Sequence, residues 1–289
     1  MDFEKIRIKP VWPKSKEEIW SEKFELLVSQ GESRKANQIL FRKTDAAHLG
    51  APGKKKRFPL WGYAASILIP VLLFCNIYTV TESTKRGEQA VVQLPDRSTV
   101  TLNAESKLSY KPFIWFISRK AANSSTSRSR MFARKVSLEG EAYFEVTQGN
   151  RFSVQTGNNR VNVLGTTFNV LARPGLYRIT CLTGQVEVQA GHETAILSQK
   201  MQATLRERKL NINSDVTTTV ATGWIQGMFV FEGAQLEEVI AEIERRYNIN
   251  VTPNYDANLL YTGIFSKTDN PEEVLEAVGK AFDIIFSIK

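Results

Sequence analysis

The stretch FPLWGYAASILIPVLLFCNIYTVT, residues 58–81, decides how this chain is organised. It contains no charged residue, and as a helix it would extend over roughly 36 Å, enough to cross a hydrocarbon core of about 30 Å. The basic residues 54–57, KKKR, precede it directly, and a basic cluster beside a first membrane span stays in the cytoplasm. The sequence therefore predicts a single span, with the N-terminus in the cytoplasm and the C-terminus outside. A buried core helix is the alternative.

The net charge of +8 is concentrated before this span. Residues 1–57 contain 14 Lys/Arg and 8 Asp/Glu, a net charge of +6, whereas residues 82–289 carry only +2. A nearly neutral outer part argues against a nucleic-acid groove, so we expect no direct contact with nucleic acid. Cys75 lies in the span and Cys181 beyond it. These two cysteines cannot pair within one chain, which excludes a disulfide scaffold.

The segment before the span, residues 1–57, contains one predicted amphipathic helix. Ser15 and Glu18 have the spacing of a capping box at its start. Its apolar stripe consists of Ile19, Trp20, Phe24, Leu27 and Val28. The segment is too short to bury this stripe in a core of its own, so we expect the stripe to dock on another protein. Contact with the inner leaflet is the alternative, although four glutamates between residues 17 and 25 would be repelled by anionic lipid.

Beyond the span the chain changes to short alternating strands. From residue 88 to residue 205, runs rich in β-branched and aromatic residues are separated by turn residues every 8 to 12 positions. This pattern is typical of an all-β sandwich or roll, predicted here over residues 82–215. The Ser-rich, basic stretch 118–131 interrupts the pattern and is predicted to be an exposed loop.

The period changes again near Trp224. Strand and helix patterns then alternate in the order β-α-β-β-α-β, which predicts a small α+β domain over residues 216–289 with its helices on one sheet face. The first helix has a buried stripe at Leu236, Val239, Ile240 and Ile243. The second is capped by Asn270, with Pro271 at its first position.

No motif in the sequence assembles catalytic chemistry. His48 and His192 lie on opposite sides of the span, and neither zinc spacing nor a phosphate-binding loop nor a G-x-S-x-G elbow occurs. Carboxylate pairs such as Glu139 and Glu141 are expected on any β surface. We therefore predict a protein that is not an enzyme, with no catalytic residue, no metal and no cofactor.

Three strings of the outer part carry a family resemblance: LPDRSTVTLNAESKLSY (94–110), VSLEGEAYFEV (136–146) and VLGTTFNV (163–170). Together they resemble the FecR family of membrane-bound sigma-factor regulators. The helical segments 236–249 and 272–284 are similar to the C-terminal domain of Bacteroidetes-type FecR proteins. Two departures from the family pattern stand out, namely Arg97 where the LPD string is usually followed by glycine, and the Ser-rich loop.

The resemblance implies an anti-sigma factor in the inner membrane. Its cytoplasmic end would bind an extracytoplasmic-function sigma factor, and its periplasmic part would receive a signal from the signalling domain of a TonB-dependent outer-membrane transporter. A structural envelope adaptor with a secretin-like C-terminal module and no sigma factor is the alternative. A membrane-tethered glycan-binding module is a third hypothesis, disfavoured because no strand shows an aromatic platform that is separable from core.

Overall fold

The computed structural model describes residues 6–9, 78–113, 115, 134–252, 255–256, 258–266 and 270–289. In this part of the chain no helix is both long enough and apolar enough to cross a membrane. The predicted span lies outside the described residues except for its last four, 78–81. Val80 and Thr81 begin a strand that pairs with residues 109–110, so the predicted end of the span at residue 81 is wrong. These β-branched residues hydrogen-bond to a neighbouring strand instead of continuing a helix.

Residues 80–213 form two β-sheets that share one long strand. The first sheet contains β3 (Gln89–Gln93), β4 (Thr99–Leu102), part of β6 (Arg134–Glu145), β9 (Thr167–Arg173), β10 (Leu176–Thr183), β13 (Gln202–Arg206) and β14 (Lys209–Asn213). The second contains β2 (Val80–Thr84), β5 (Ser106–Tyr110), the rest of β6, β7 (Phe152–Thr156), β8 (Asn159–Val163), β11 (Gln185–Ala190) and β12 (Glu193–Ser198). We call this unit the β-domain, and it confirms the prediction of a mostly β fold.

Strand β6 passes from one sheet to the other at Gly140. Its first half pairs with β5 and β7, and its second half pairs with β4 and β9. Gly140 has a φ of +98°, and a Cβ there would lie 2.8 Å from the Cα of Ser106. Only glycine fits both this backbone conformation and this close approach, which explains the G in the string VSLEGEAYFEV.

Aromatic side chains from both sheets meet in the core of the β-domain. Phe144 of the first sheet stacks on Phe168 at 4.9 Å between ring centroids and meets Phe152 of the second sheet at 6.1 Å. All three rings are fully buried, and each contributes roughly 1.5–3 kcal/mol relative to an exposed ring. These rings form part of the layer that holds the two sheets together.

A further strand, β1 (Ile6–Lys9), runs parallel to β3 at the edge of the first sheet. Ile6 pairs with Gln89 and Lys9 with Val92. Without β1, the described part of the chain leaves this edge of β3 free. The pairing places residues 6–9 and 89–92 on the same side of any membrane.

The turn of the LPD string is built around a buried ion pair. Asp96 accepts hydrogen bonds from Ser98 N at 2.9 Å and from Ser98 Oγ at 2.7 Å, and its carboxylate also binds the guanidinium of Arg134. Arg134 donates further to the carbonyl oxygens of Thr147 and Asn150. The aspartate of this string is thus a structural anchor that ties the β3–β4 turn to β6.

Arg97, which follows this aspartate, adopts the left-handed conformation that glycine favours. Its φ is +71°, so a residue with a Cβ occupies a left-handed position in this turn. A side chain with a Cβ costs free energy in this region because the Cβ crowds the following carbonyl.

Replacing Arg97 with glycine should therefore raise the free energy of unfolding by about 0.5–1 kcal/mol. Urea unfolding of the chain, followed through the β-domain, measures this change. Arg97→Ala is the matched control, because it removes the same guanidinium but retains the Cβ. If Arg97→Ala stabilises the protein as much as Arg97→Gly, the charge and not the backbone strain accounts for the effect.

Residues 219–289 form a second, α+β unit, which we call the C-terminal domain. Its elements are α1 (Thr219–Thr222), a 3₁₀ helix (Gly223–Gln226), β15 (Met228–Gln235), α2 (Leu236–Tyr247), β16 (Leu260–Ser266) and α3 (Pro271–Gly279). The predicted stripe of α2 is fully buried against β15 and β16. Asn270 caps α3 as predicted, since its Oδ1 accepts a hydrogen bond from Glu272 N at 3.0 Å.

The C-terminal domain has fewer regular strands than the predicted β-α-β-β-α-β order. Strands β15 and β16 form a two-stranded antiparallel sheet. The predicted strands near residues 250 and 286 reduce to one antiparallel bridge, Val251 with Ile288, supported by a hydrogen bond from Thr252 N to Ser287 O at 2.9 Å. Among the described residues the two strand pairs do not join, so the expectation of helices covering a single four-stranded sheet is wrong.

Candidate functional site

The β-domain and the C-terminal domain meet at a polar junction next to the start of β3. Gly87 N donates a hydrogen bond to Arg245 O at 2.7 Å, and Gln89 Nε2 donates to Trp224 O at 3.1 Å. Arg178 of β10 forms an ion pair with Glu238 in the first turn of α2, with 3.1 Å between Nη1 and Oε1. Backbone and charged side chains thus hold the two domains together, an arrangement that differs from the apolar core inside each of them.

The centre of the junction is a bridge of two carboxylates and one amide. Asn103 Nδ2 donates to Glu141 Oε2 at 2.7 Å and to Glu242 Oε1 at 3.0 Å. Glu141 belongs to β6 and Glu242 to α2, so the amide links one carboxylate from each domain. Asn169 Nδ2 donates to the other oxygen of Glu141 at 2.9 Å. We call Glu141, Asn103 and Glu242 the carboxylate bridge.

Glu141 is a buried acid with neutral hydrogen-bond partners. Its residue is only 6% exposed. Burial, and then the charge of Glu242, raises the pKa of the Glu141 carboxyl, while the amides of Asn169 and Asn103 and the charge of Arg173 act in the opposite direction. Burial disfavours the charged form of a carboxyl, and so does a second carboxylate nearby. The bridge therefore places a proton-binding group between the two domains.

Sequence reasoning missed this group. The expectation of a surface carboxylate holds for Glu139, which is exposed, and is wrong for Glu141. Alternation along β6 does place Glu141 on the outer face of the sheet, opposite the core residues Ala142 and Phe144. That face is buried because the C-terminal domain covers it, and a strand pattern carries no information about a cover supplied by another domain.

A cavity of about 530 Å³ opens at the same junction. Its walls carry both signs of charge, including Arg178, Arg206, Glu238 and Glu242. A lining of mixed charge selects neither an anion nor a cation. We therefore assign no ligand class to this cavity.

In the described part of the chain, no group of three or more His, Cys, Asp or Glu residues could hold a metal ion. Cys181 is buried, and burial raises the pKa of its thiol to about 11. At neutral pH this cysteine is a protonated thiol and a poor nucleophile.

Two family models match the chain, in the order of its two domains. The model for FecR protein matches residues 80–187, and the model for the FecR C-terminal region matches residues 228–289. The chain belongs to the FecR family. The first match begins at the first residue of β2 and the second at the first residue of β15. The resemblance predicted from the three strings and the two helical segments is confirmed.

Solved structures support the same assignment for this FecR protein. Two crystal structures of a "putative anti-sigma factor" from Parabacteroides distasonis ATCC 8503, at 2.50 and 1.65 Å resolution, are similar to it, each with 29% sequence identity and a TM-score of 0.61. The matches cover 72% and 71% of this chain and 93% and 92% of the other. No curated protein matches the sequence. The likeness therefore extends over almost the whole of the solved relative.

A second candidate surface of this FecR protein is the outer edge of β16. Among the described residues, β16 pairs only with β15, so its other edge carries unpaired backbone groups. Leu260 and Ile264 on this strand are 63% and 71% exposed. An exposed edge strand with apolar side chains readily accepts a strand from another chain.

The residues predicted to bind a sigma factor lie outside the described part of the chain. They are Ile19, Trp20, Phe24, Leu27 and Val28. The Ser-rich stretch 118–131 also lies outside it. The sigma-factor surface therefore stays a prediction from the sequence, whereas the junction and the β16 edge are observed in the structure.

Proposed function

We propose that this FecR protein is a single-pass anti-sigma factor of the inner membrane. In this proposal residues 1–57 bind an extracytoplasmic-function sigma factor in the cytoplasm. Residues 58 to about 79 cross the membrane, and the rest of the chain lies in the periplasm. The observation that carries the proposal is the match of both FecR models together with the likeness to nearly the whole of a solved anti-sigma-factor relative. Family membership supports the general role, and the specific partners are our inference.

Co-purification tests the central claim. The full chain, carrying an affinity tag at its C-terminus, is extracted from membranes and analysed for a bound sigma factor. We expect a sigma factor of the extracytoplasmic-function class in a stoichiometric complex. Recovery of envelope or secretion proteins without any sigma factor would instead indicate the adaptor role.

The pairing of β1 with β3 constrains the proposed topology. A chain that crosses the membrane once between residues 58 and 79 places residues 6–9 and residues 89–92 on opposite sides. The two strands cannot pair while the chain spans the membrane. The proposal therefore requires the outer edge of β3 to be free of β1 in the membrane-bound protein.

Reporter fusions should reveal this topology directly. We expect alkaline phosphatase to be active when fused after residue 100, and a cytoplasmic reporter to be active when fused before residue 50. The physical reason is the basic cluster at residues 54–57, which stays in the cytoplasm. If alkaline phosphatase were active at both positions, residues 6–9 and 89–92 would lie on the same side of the membrane. The pairing of β1 with β3 would then be possible, and the single span would be refuted.

We infer that the C-terminal domain receives the periplasmic signal. The partner proposed is the signalling domain of a TonB-dependent outer-membrane transporter, which would add a strand to the free edge of β16. The supporting observations are the two-stranded sheet and the exposed apolar side chains of Leu260 and Ile264. Strand addition draws its affinity from main-chain hydrogen bonds and needs little specific side-chain chemistry.

A further inference from the structure

Among the described residues, no cation forms an ion pair with Glu141 of the carboxylate bridge. Glu141 has hydrogen bonds only from the amides of Asn103 and Asn169 to its carboxylate oxygens, among the contacts of the described residues. Glu242 differs, because its Oε2 is bound by Arg245 Nη2 at 3.1 Å. The two carboxylates of the bridge therefore have unequal environments, and Glu141 is the one held by neutral groups.

Two arginines near the bridge donate hydrogen bonds to backbone carbonyls, while the buried Nε of Arg173 has no partner among the described residues. Arg173 of β9 donates to the carbonyl oxygens of Ala104 and Glu105, at 2.8 and 3.1 Å. Arg246 of α2 donates to Met228 O at 2.7 Å and lies over the ring of Phe229, 3.9 Å from its centroid.

Two further charged side chains lie near the bridge. Arg245 of α2 binds Glu242, and the side chain of Glu105 acts on Arg173 from the turn before β5. Arg173 still lowers the pKa of Glu141 through its field, but less than burial and Glu242 raise it. Within the described part of the chain, Glu141 therefore has hydrogen bonds from amides and no ion pair.

Asn169 provides a place for a proton on Glu141. Its Oδ1 is buried and has no hydrogen-bond partner within the described residues. The two ends of a carboxamide are exchanged by a half-turn, and their assignment follows the hydrogen-bond network. A half-turn would put Oδ1 where Nδ2 now lies, 2.9 Å from Glu141 Oε1, so that it accepts a hydrogen bond from a protonated Glu141.

We propose that docking of the C-terminal domain on the β-domain is coupled to the uptake of one proton by the carboxylate bridge. Docking removes Glu141 from water and brings Glu242 close, whereas separation of the domains returns both carboxylates to solvent. The docked state then binds the proton more tightly than the separated state. This coupling concerns the two outer domains alone and holds whether or not a sigma factor is the cytoplasmic partner.

The sign of the pH dependence follows from this linkage. The pKa of Glu141 is higher in the docked state than in the separated state, where a carboxyl has its ordinary value of about 4.3. The stabilisation of the docked state is complete below that ordinary value and is lost as the pH rises through the raised one. Alkaline conditions therefore favour separation of the domains.

Hydrogen–deuterium exchange of the full chain in detergent tests the coupling. The reporter is the amide of Gly87, which donates across the junction to Arg245 O, with exchange at each pH normalised to unfolded protein. In the wild type we expect this protection to fall as the pH rises from about 4.3, the ordinary value of a carboxyl, through the raised pKa of Glu141. Amides of β9, inside the β-domain, report whether each protein is folded and should show no such fall.

Three variants separate the coupling from a merely structural role. Glu141→Gln should make the protection at Gly87 independent of pH, because its neutral amide donates to the free Asn169 Oδ1 and carries no charge. Glu242→Gln should make the fall with pH smaller, because it removes the second cause of the raised pKa of Glu141 while burial remains, and it replaces Glu141→Gln if that variant does not fold. Glu238→Gln is the matched control, since it breaks the ion pair with Arg178 and should lower protection at every pH without changing the slope. A wild-type slope that survives in both Glu141→Gln and Glu242→Gln would overturn the proposal.

Discussion

Replacing Trp20 or Phe24 with alanine should release the sigma factor and raise transcription of its target promoter without an inducing signal. Both residues belong to the predicted apolar stripe of the segment 1–57, which we propose to be cytoplasmic and which is too short for a core of its own. Aromatic anchors of this kind often contribute about 2 kcal/mol or more to binding, so each substitution should weaken the complex roughly thirtyfold. The double variant should be close to fully derepressed.

The measurement combines a promoter reporter with recovery of the sigma factor on the tagged full chain. Glu22→Ala is the matched control, because helical periodicity places Glu22 on the face opposite Trp20. Equal amounts of each variant in the membrane exclude an effect of abundance. Normal repression by the Trp20→Ala/Phe24→Ala double variant would mean that the sigma factor docks on a different surface.

The strand pattern predicted the β-domain because its information is local. Alternation places Phe144 and Phe168 on the inner side of the first sheet and Phe152 on the inner side of the second, where the structure shows them. The pattern could not show that β6 belongs to both sheets. That property depends on Gly140. A single glycine in an alternating run does not reveal which part of the backbone lies against it.

The end of the predicted span shows a different limit. Thr79, Val80 and Thr81 are uncharged, so hydropathy alone extends the span over them. In the structure Val80 and Thr81 pair with Ser109 and Tyr110. Uncharged β-branched residues suit a membrane helix and a strand equally, and the choice is made by a partner almost thirty residues away.

The junction is the part of the candidate site that no local pattern could predict. Alternation correctly assigns Glu141 to the outer face of its strand, but the burial of that face comes from α2 of the C-terminal domain. Asn103 hydrogen-bonds to both Glu141 and Glu242, and Asn103 and Glu242 are 139 residues apart in the sequence. A single sequence carries no record of such a contact, and so the carboxylates looked like ordinary surface residues.

The outer edge of β16 is the surface where we propose that the transporter's signalling domain binds. Replacing both Leu260 and Ile264 with lysine should abolish the response to the transporter's ligand, while leaving the protein in the membrane and the sigma factor bound. Lysine on an edge strand opposes the approach of another strand, and it removes the apolar contacts that the partner would bury. The loss of two exposed aliphatic anchors should reduce affinity for the signalling domain at least thirtyfold.

Ile196→Lys is the matched control for this double substitution. Ile196 lies on β12, an edge strand of the β-domain, and is 64% exposed, much like Ile264 at 71%. Ile264→Lys, measured alone beside the double variant, is the same substitution at similar exposure, so the two single variants differ in the domain that carries the lysine. We expect Ile196→Lys to respond normally to the ligand in the same promoter assay.

The pair of results distinguishes the two domains as receivers. If only the Leu260→Lys/Ile264→Lys variant loses the response, the partner binds the C-terminal domain. This domain also forms the junction with the β-domain, whose docking equilibrium we expect to depend on pH. A partner bound there could shift the docking equilibrium only by binding one of its two states more tightly than the other. Loss of response in Ile196→Lys alone would move reception to the β-domain. The C-terminal domain would then act as a cover for the carboxylate bridge, and its β16 edge would have no role in signalling.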